Sequence, residues 1–213
     1  MLEEVERRVQ HRTDVNVDTG LYYQSIQQMV NDAAELGCDA VINCTGLGSS
    51  KLCNDDNLVG ARGILLHYDR QSCIRRDEIN EHREHGQMVH DACVLTEDQP
   101  WGSESHPCYM IARGDTIVVG GSYLEGDPGV SIRPEERAKL LNNARWLGID
   151  TNITQPSGEW VGYRPYRPIS RLEEDPEHGQ SEGVRVIHSY GYGGSGWTVF
   201  TGVAREAAEL VLR

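Results

Sequence analysis

The stretch Val184-Arg-Val-Ile-His-Ser-Tyr-Gly-Tyr-Gly-Gly-Ser-Gly-Trp-Thr198 decides how the chain is read. Val184 to Tyr190 has the β-branched and aromatic content of a buried strand, and Gly191 to Gly196 places four glycines in six residues. From Thr198 to Arg213 the residues Phe200, Val203, Ala204, Ala207, Ala208 and Val211 recur along one helical face. A strand that passes through a glycine-rich turn into a helix is an α/β unit. The turn leaves backbone N–H groups uncovered at the positive helix end, where an anion or an electron-rich ring edge is able to approach. Tight packing of strand on helix would call for the same glycines, so the turn alone leaves both readings open.

Upstream, Leu2, Val5 and Val9 form one helical stripe, and Tyr22, Ile26, Met29, Val30, Ala33 and Leu36 form a second that ends at Gly37. The short apolar run from Asp39 to Gly46 follows, and helix before buried strand predicts part of a parallel sheet. Ile64 to Tyr68 reads as another strand. Residues 69 to 106 are polar and read as loop or insertion. Tyr109 to Ala112 and Thr116 to Gly120 flank Arg113-Gly114-Asp115 and predict a hairpin. Pro134 opens a helix whose stripe Leu140, Leu141, Ala144 and Leu147 covers that hairpin before Gly148 ends it. The fold class is α/β with an α+β element, a mixed sheet that combines parallel and antiparallel strands.

The 213 residues carry 33 acidic against 20 basic side chains, a net charge of −13, which repels a polyphosphate and makes nucleic acid a poor partner. No run approaches the roughly 18 apolar residues of a membrane span, and the charged start MLEEVERRVQHR does not read as a signal peptide. Cys38, Cys44, Cys53, Cys73, Cys93 and Cys108 contain no CxxC spacing, which fits free thiols in a reducing compartment. Cys44, at a strand end, reads as core. Glu81-His-Arg-Glu-His85 with His90 has ligand types that a helix could converge on a metal, but a solvated His-rich loop accounts for it better, and no metal is expected.

Gly162-Tyr-Arg-Pro-Tyr-Arg-Pro168 presents two arginines on a backbone stiffened by two prolines, and Pro165 holds Arg164 extended. Such a segment suits a planar fork for a carboxylate, but taken by itself it reads first as a surface loop with solvated arginines.

Taken in order, Asn43-Cys-Thr-Gly-Leu-Gly48, Arg62-Gly63, Gly120-Gly-Ser-Tyr123 with Glu125-Gly-Asp127, Gly162-Tyr-Arg-Pro165 and His188 to Trp197 resemble the D-amino-acid oxidase family, with coverage from about Cys38 to the C-terminus. The resemblance implies a Rossmann-like domain that binds FAD and a mixed-sheet domain that roofs the flavin and binds the amino acid. It divides the chain into 1–60, partial FAD-domain helices and strand; 61–170, the substrate-binding sheet; and 171–213, the final strand, turn and helix of the FAD domain. Nothing upstream of Cys38 matches the family's Gly-x-Gly-x-x-Gly turn, so the chain looks like the C-terminal part of the oxidase.

By the same resemblance Arg164 pairs with the substrate carboxylate, Tyr109 and Tyr123 stand near the substrate, and the Gly194 carbonyl faces its amine. Cys44, Thr45, Gly46, Arg62, Gly63 and Gly193 to Thr198, including Ser195, Gly196 and Trp197, contact the cofactor. Tyr123 stands where acid-specific relatives carry a basic residue, which implies a neutral D-amino acid, and Ser105 replaces an aromatic of the pocket lid. The implied activity is oxidative deamination to an imino acid and then a 2-oxo acid, with ammonia and hydrogen peroxide as the other products. The implied setting is cytoplasmic or peroxisomal, with an FAD-binding segment or partner chain completing the site and a homo-oligomer or larger assembly open. Ile64, where the family has glutamine, leaves a second reading: a catalytically lapsed accessory subunit.

Overall fold

The computed structural model describes residues 18, 20–73, 93–100 and 102–213. The stripe Leu2, Val5 and Val9 and the cluster Glu81 to His90 lie outside them. Helix α1, Ile26–Glu35, starts where Ser25 Oγ accepts the Gln28 N–H at 3.2 Å, and it buries Ile26, Val30 and Ala33 against Val184 and Val186. Strand β1, Ala40–Asn43, is followed by a 3₁₀ turn at Gly46–Gly48 and the short helix α2, Ser49–Leu52. Then come β2 (Val59–Asp69), β3 (Cys93–Thr96), β4 (Cys108–Arg113), β5 (Thr116–Gly120), β6 (Leu124–Glu125) and helix α3 (Pro134–Trp146). The chain closes with β7 (Gly158–Glu174), β8 (Arg185–Tyr192) and helix α4 (Gly196–Val211).

All the described strands form one sheet in the order β1-β8-β7-β2-β5-β4-β3, with β6 pairing β2 beyond the end of β5. β1 runs parallel to β8 and the other pairs are antiparallel, so the sheet is mixed as the sequence predicts. Residues 60 and 170, the expected division points, fall inside β2 and β7. Alternation gives β2 two different faces. Ile64, Leu66 and Tyr68 join Met110, Ile117 and Val119 under Leu140 and Ala144 of α3, the main core. The hairpin and its covering helix thus stand where the sequence puts them.

Two expectations need correction. Residues 69–106 are not all loop, since β3 pairs with β4 from Cys93↔Ile111 to Thr96↔Cys108. Gly162 to Pro168 is no loop but the middle of β7: Pro168 falls where pairing to β8 is interrupted between Tyr166 and Arg171, and Pro165 lies beyond the last β8 pair, Tyr166↔Tyr192, opposite Gly60 of β2. The apolar face of α4 is largely open: of its stripe only Ala207 is buried, and Phe200 is exposed beside Trp197 and Val199. At that end the Trp197 and Phe200 rings meet edge to face, with centroids 5.6 Å apart.

A buried polar network holds the ends of β1, β7 and β8 together. Asp175 Oδ2 accepts from His188 Nε2 at 2.7 Å and from His178 Nδ1 at 3.0 Å, while Oδ1 accepts the Glu177 N–H at 2.7 Å. His188 Nδ1 faces Asn43 Nδ2 at 3.1 Å, which assigns the ring proton to Nε2. Burial pushes the Asp175 carboxyl up, but the hydrogen bonds from His188, Glu177 and His178 outweigh it and hold the group down to about 2. A carboxyl depressed on folding stabilises the protein fully above its ordinary value near 3.8 and loses that contribution as the pH falls through about 2. Asp175→Asn is therefore expected to cost about 2 kcal/mol at neutral pH. In urea titrations it should also flatten the stability slope between pH 4 and 2; slopes identical to wild type would contradict the assignment.

Candidate active site

The sheet face opposite α3 carries the candidate residues. Reading across the strands by register, Arg164 lies opposite Ala61, Gly162 opposite Gly63, and Trp160 opposite Leu65, which in turn faces Gly120 and Tyr109. Side chains at alternate positions therefore share one surface: Trp160 and Arg164 from β7, Leu65 from β2 and Tyr109 from β4. Arg164 bends back over the strands. A β-carbon at Gly63 would lie 2.9 Å from its Cζ and overlap its Nη1, so glycine is what lets the guanidinium lie on the sheet. Gly120 does the same for the Tyr109 ring.

The Arg164 guanidinium donates from Nη1 to Ser122 O at 3.1 Å and stacks over the Tyr123 ring with its Cζ 5.5 Å from the centroid. Among the described residues no carboxylate lies within ion-pair distance of it, in contrast to Arg62, Arg133, Arg137, Arg167, Arg171 and Arg185. Tyr109 is buried, which pushes its phenol up, while the charge and hydrogen bonding of Arg164 pull it down. Tyr123 is likewise pushed up by burial and pulled down by the Gly194 backbone and by Arg164. Both shifts are net upward, so both hydroxyls keep their protons at neutral pH and remain available as donors. Arg164, Tyr109, Tyr123 and Gly194 thus converge, and Gly193 belongs with them, because a β-carbon there would collide with Tyr123 Oη.

Beside this cluster Tyr123, Tyr166, Tyr192, Gly191, Gly194 and Ser195 line a groove of about 460 Å³. The 16-residue α4 begins at its rim. It runs on from the 3₁₀ turn Gly193–Ser195 with neither a side-chain cap nor an acidic residue in its first turn, so no side chain covers the positive end of the helix dipole. That helix end, next to side-chain-free Gly193 and Gly194, fits a ring edge that gains negative charge. Ser195, Trp197 and Thr198 are exposed around it.

The other resemblance-based residues fall in two places. Cys44, Thr45 and Gly46 form the turn after β1, with Thr45 Oγ1 donating to Asn43 Oδ1 at 2.8 Å and Gly46 seated over Pro165. Cys44 is exposed rather than core, because the short β1 ends before it. Arg62 stands apart. Its fully buried guanidinium points to the α3 side, donating to Glu136 at 2.8 and 3.0 Å, to Gly129 O at 2.6 Å and to Ser131 O. None of its nitrogens faces the groove. All six cysteines are free.

Sequence reading missed Trp160, Tyr166 and Ser122. Had Gly158 to Glu174 been taken as a strand, the period of two would have put Trp160 and Tyr166 on the face of Arg164. Ser122 acts through its carbonyl, which no residue type reveals.

A family model described as FAD dependent oxidoreductase matches residues 4–210. The D-amino-acid oxidase of Dictyostelium discoideum is 31% identical over 175 residues, covering 81% of this chain and 43% of that protein. Human D-aspartate oxidase is 30% identical over 189 residues, covering 88% and 48%. The chain spans about half the length of the curated relatives it matches. Among solved structures, glycine oxidase from Geobacillus kaustophilus superposes with a TM-score of 0.57 at 17% identity over 83% of this chain and 42% of that one. Iminodiacetate oxidase from Chelativorans gives 0.57 at 18% identity, over 82% and 42%. These two likenesses bear on the fold.

Gly63→Ala tests the geometry directly. The added methyl is expected to lift the Arg164 guanidinium off the sheet and weaken binding of a simple carboxylate such as acetate by about 1.5–3 kcal/mol in calorimetry. Unchanged affinity in a folded variant would show that Arg164 does not depend on Gly63.

Proposed function

The chain belongs to the FAD dependent oxidoreductase family, and from that premise we propose that it forms the substrate-binding part of an enzyme that oxidatively deaminates neutral D-amino acids. One observation carries the reading: Arg164, between two protonated tyrosines on an open sheet face, has no carboxylate partner among the described residues. A planar guanidinium holds a carboxylate by two parallel hydrogen bonds and so fixes the α-carbon. Tyr109 and Tyr123 add hydroxyl donors at its two sides, and the Gly194 backbone supplies the polar group at the amine. Tyr123 instead of a cation at the end of the Gly-Gly-Ser-Tyr segment favours an uncharged side chain.

FAD, when bound, accepts the hydride from the substrate α-carbon and passes two electrons to oxygen. Gly193 to Thr198 and the positive end of α4 would hold its ring edge, with Cys44, Thr45 and Gly46 nearby and the remaining nucleotide contacts coming from a segment or partner outside these 213 residues. The imino acid then hydrolyses to the 2-oxo acid and ammonia, and oxygen leaves as hydrogen peroxide. Six free thiols suit a reducing compartment, cytoplasm or peroxisome. Ile64, the departure that suggested a lapsed enzyme, is buried in the α3 core, on the opposite side of the sheet from Arg164.

Arg164→Lys keeps the charge and removes the planar fork. In the FAD-loaded enzyme it is expected to slow flavin reduction by D-alanine at low substrate by about one to two decades, with little change in reoxidation by oxygen. Arg137→Lys, whose arginine pairs with Glu159 at 2.6 Å on the α3 side, is the control and should stay near wild type. Equal small losses in stopped-flow traces of both variants would remove Arg164 from the carboxylate site.

A further inference from the structure

Trp160 is the large side chain on the open face that the proposed reaction leaves without a role. Its indole folds along β7 over Gly162, where a β-carbon would overlap Cη2 and Cζ2. Gly162 is the direct cross-strand partner of Gly63, and Gly63 is the position over which the Arg164 guanidinium lies. The indole and the guanidinium therefore approach from opposite ends of β7 onto adjacent glycines. Directly paired residues of an antiparallel sheet stand about 4.5–5.5 Å apart, so the two groups are neighbours on the same surface.

The row that contains Trp160 continues as Leu65, Gly120, Tyr109 and Leu95, an apolar strip with no charged member. Trp160 is nonetheless 48% exposed. Two paired glycines let the guanidinium and the indole lie side by side on the sheet, so the group suited to a carboxylate adjoins the largest apolar surface beside it. The chemistry that fits both is a carboxylate joined by a short stem to an apolar or aromatic group.

We infer that Trp160 is a specificity-determining residue whose indole receives the side chain of the bound amino acid, favouring apolar and aromatic side chains over acidic ones. This rests on the carboxylate reading of Arg164. An acidic side chain laid along the strip would lose its water against Trp160 and Leu65 with no cation in that row to replace it. A phenyl or branched aliphatic group would bury apolar area there and, if aromatic, meet the indole edge-to-face or offset-stacked.

Calorimetry of the FAD-loaded enzyme with acetate and 3-phenylpropionate separates the two claims. The wild type should bind 3-phenylpropionate about tenfold or more tightly than acetate. Trp160→Ala should erase most of that preference, about a five- to tenfold loss for the aromatic acid, with acetate affinity unchanged, and Trp160→Phe should keep most of it. Arg164→Lys should weaken both acids together. A Trp160→Ala enzyme that binds acetate as the wild type does and retains the full preference would overturn the inference while leaving Arg164 in place. A wild type that binds neither acid would overturn the Arg164 reading and this inference with it.

Discussion

The open face of this sheet depends on there being no β-carbon at residue 63. Gly63 sits inside the 11-residue β2, where glycine weakens a strand by roughly 0.5–1 kcal/mol, yet only there can the Arg164 guanidinium lie flat between Tyr109 and Tyr123. The cost is offset on the other side of the same strand. Ile64, Leu66 and Tyr68 are buried under α3, and Arg62 locks onto Glu136 of that helix. Alternation along one strand thus separates a fully packed face from an open one that carries Arg164.

That separation also explains how Arg62 and Arg164 differ. Both are arginines in central strands. Arg62 has every nitrogen engaged by Glu136 and two backbone carbonyls, and a buried pair of that kind is held in place by the cost of breaking it. Arg164 meets the Ser122 carbonyl, the Tyr109 hydroxyl and the Tyr123 ring but no carboxylate among the described residues, which leaves donors for one. The uncovered start of α4 adds a second electrostatic feature beside it, suited to an anionic ring edge.

Much of this was legible in the residues. The period of 3.6 in Leu140 and Ala144 and the turn at Arg113-Gly114-Asp115, with Gly114 at a φ of 57°, identified α3 and its hairpin. The order of helix before buried strand from Tyr22 to Gly46 pointed to a parallel element, and β1 does run parallel to β8. What escaped did so for physical reasons. Two prolines made the centre of β7 look like a loop, because the break and the end of its pairing to β8, where Pro168 and Pro165 fall, are tertiary features. Resemblance carried Arg62 into the site without saying which face its side chain takes. What lies on the apolar face of α4 is likewise beyond the reach of periodicity, because amphipathicity shows that a face is apolar and not what covers it.

The central claim is that Arg164, resting on Gly63, is where a substrate carboxylate docks. A crystal structure of the FAD-loaded enzyme with pyruvate, the 2-oxo acid that D-alanine would yield, tests this most directly. The account predicts both carboxylate oxygens within hydrogen-bond distance of the Arg164 guanidinium above Gly63, flanked by the hydroxyls of Tyr109 and Tyr123. Pyruvate seated on another cation, with Arg164 still turned only to Ser122 O, would contradict it.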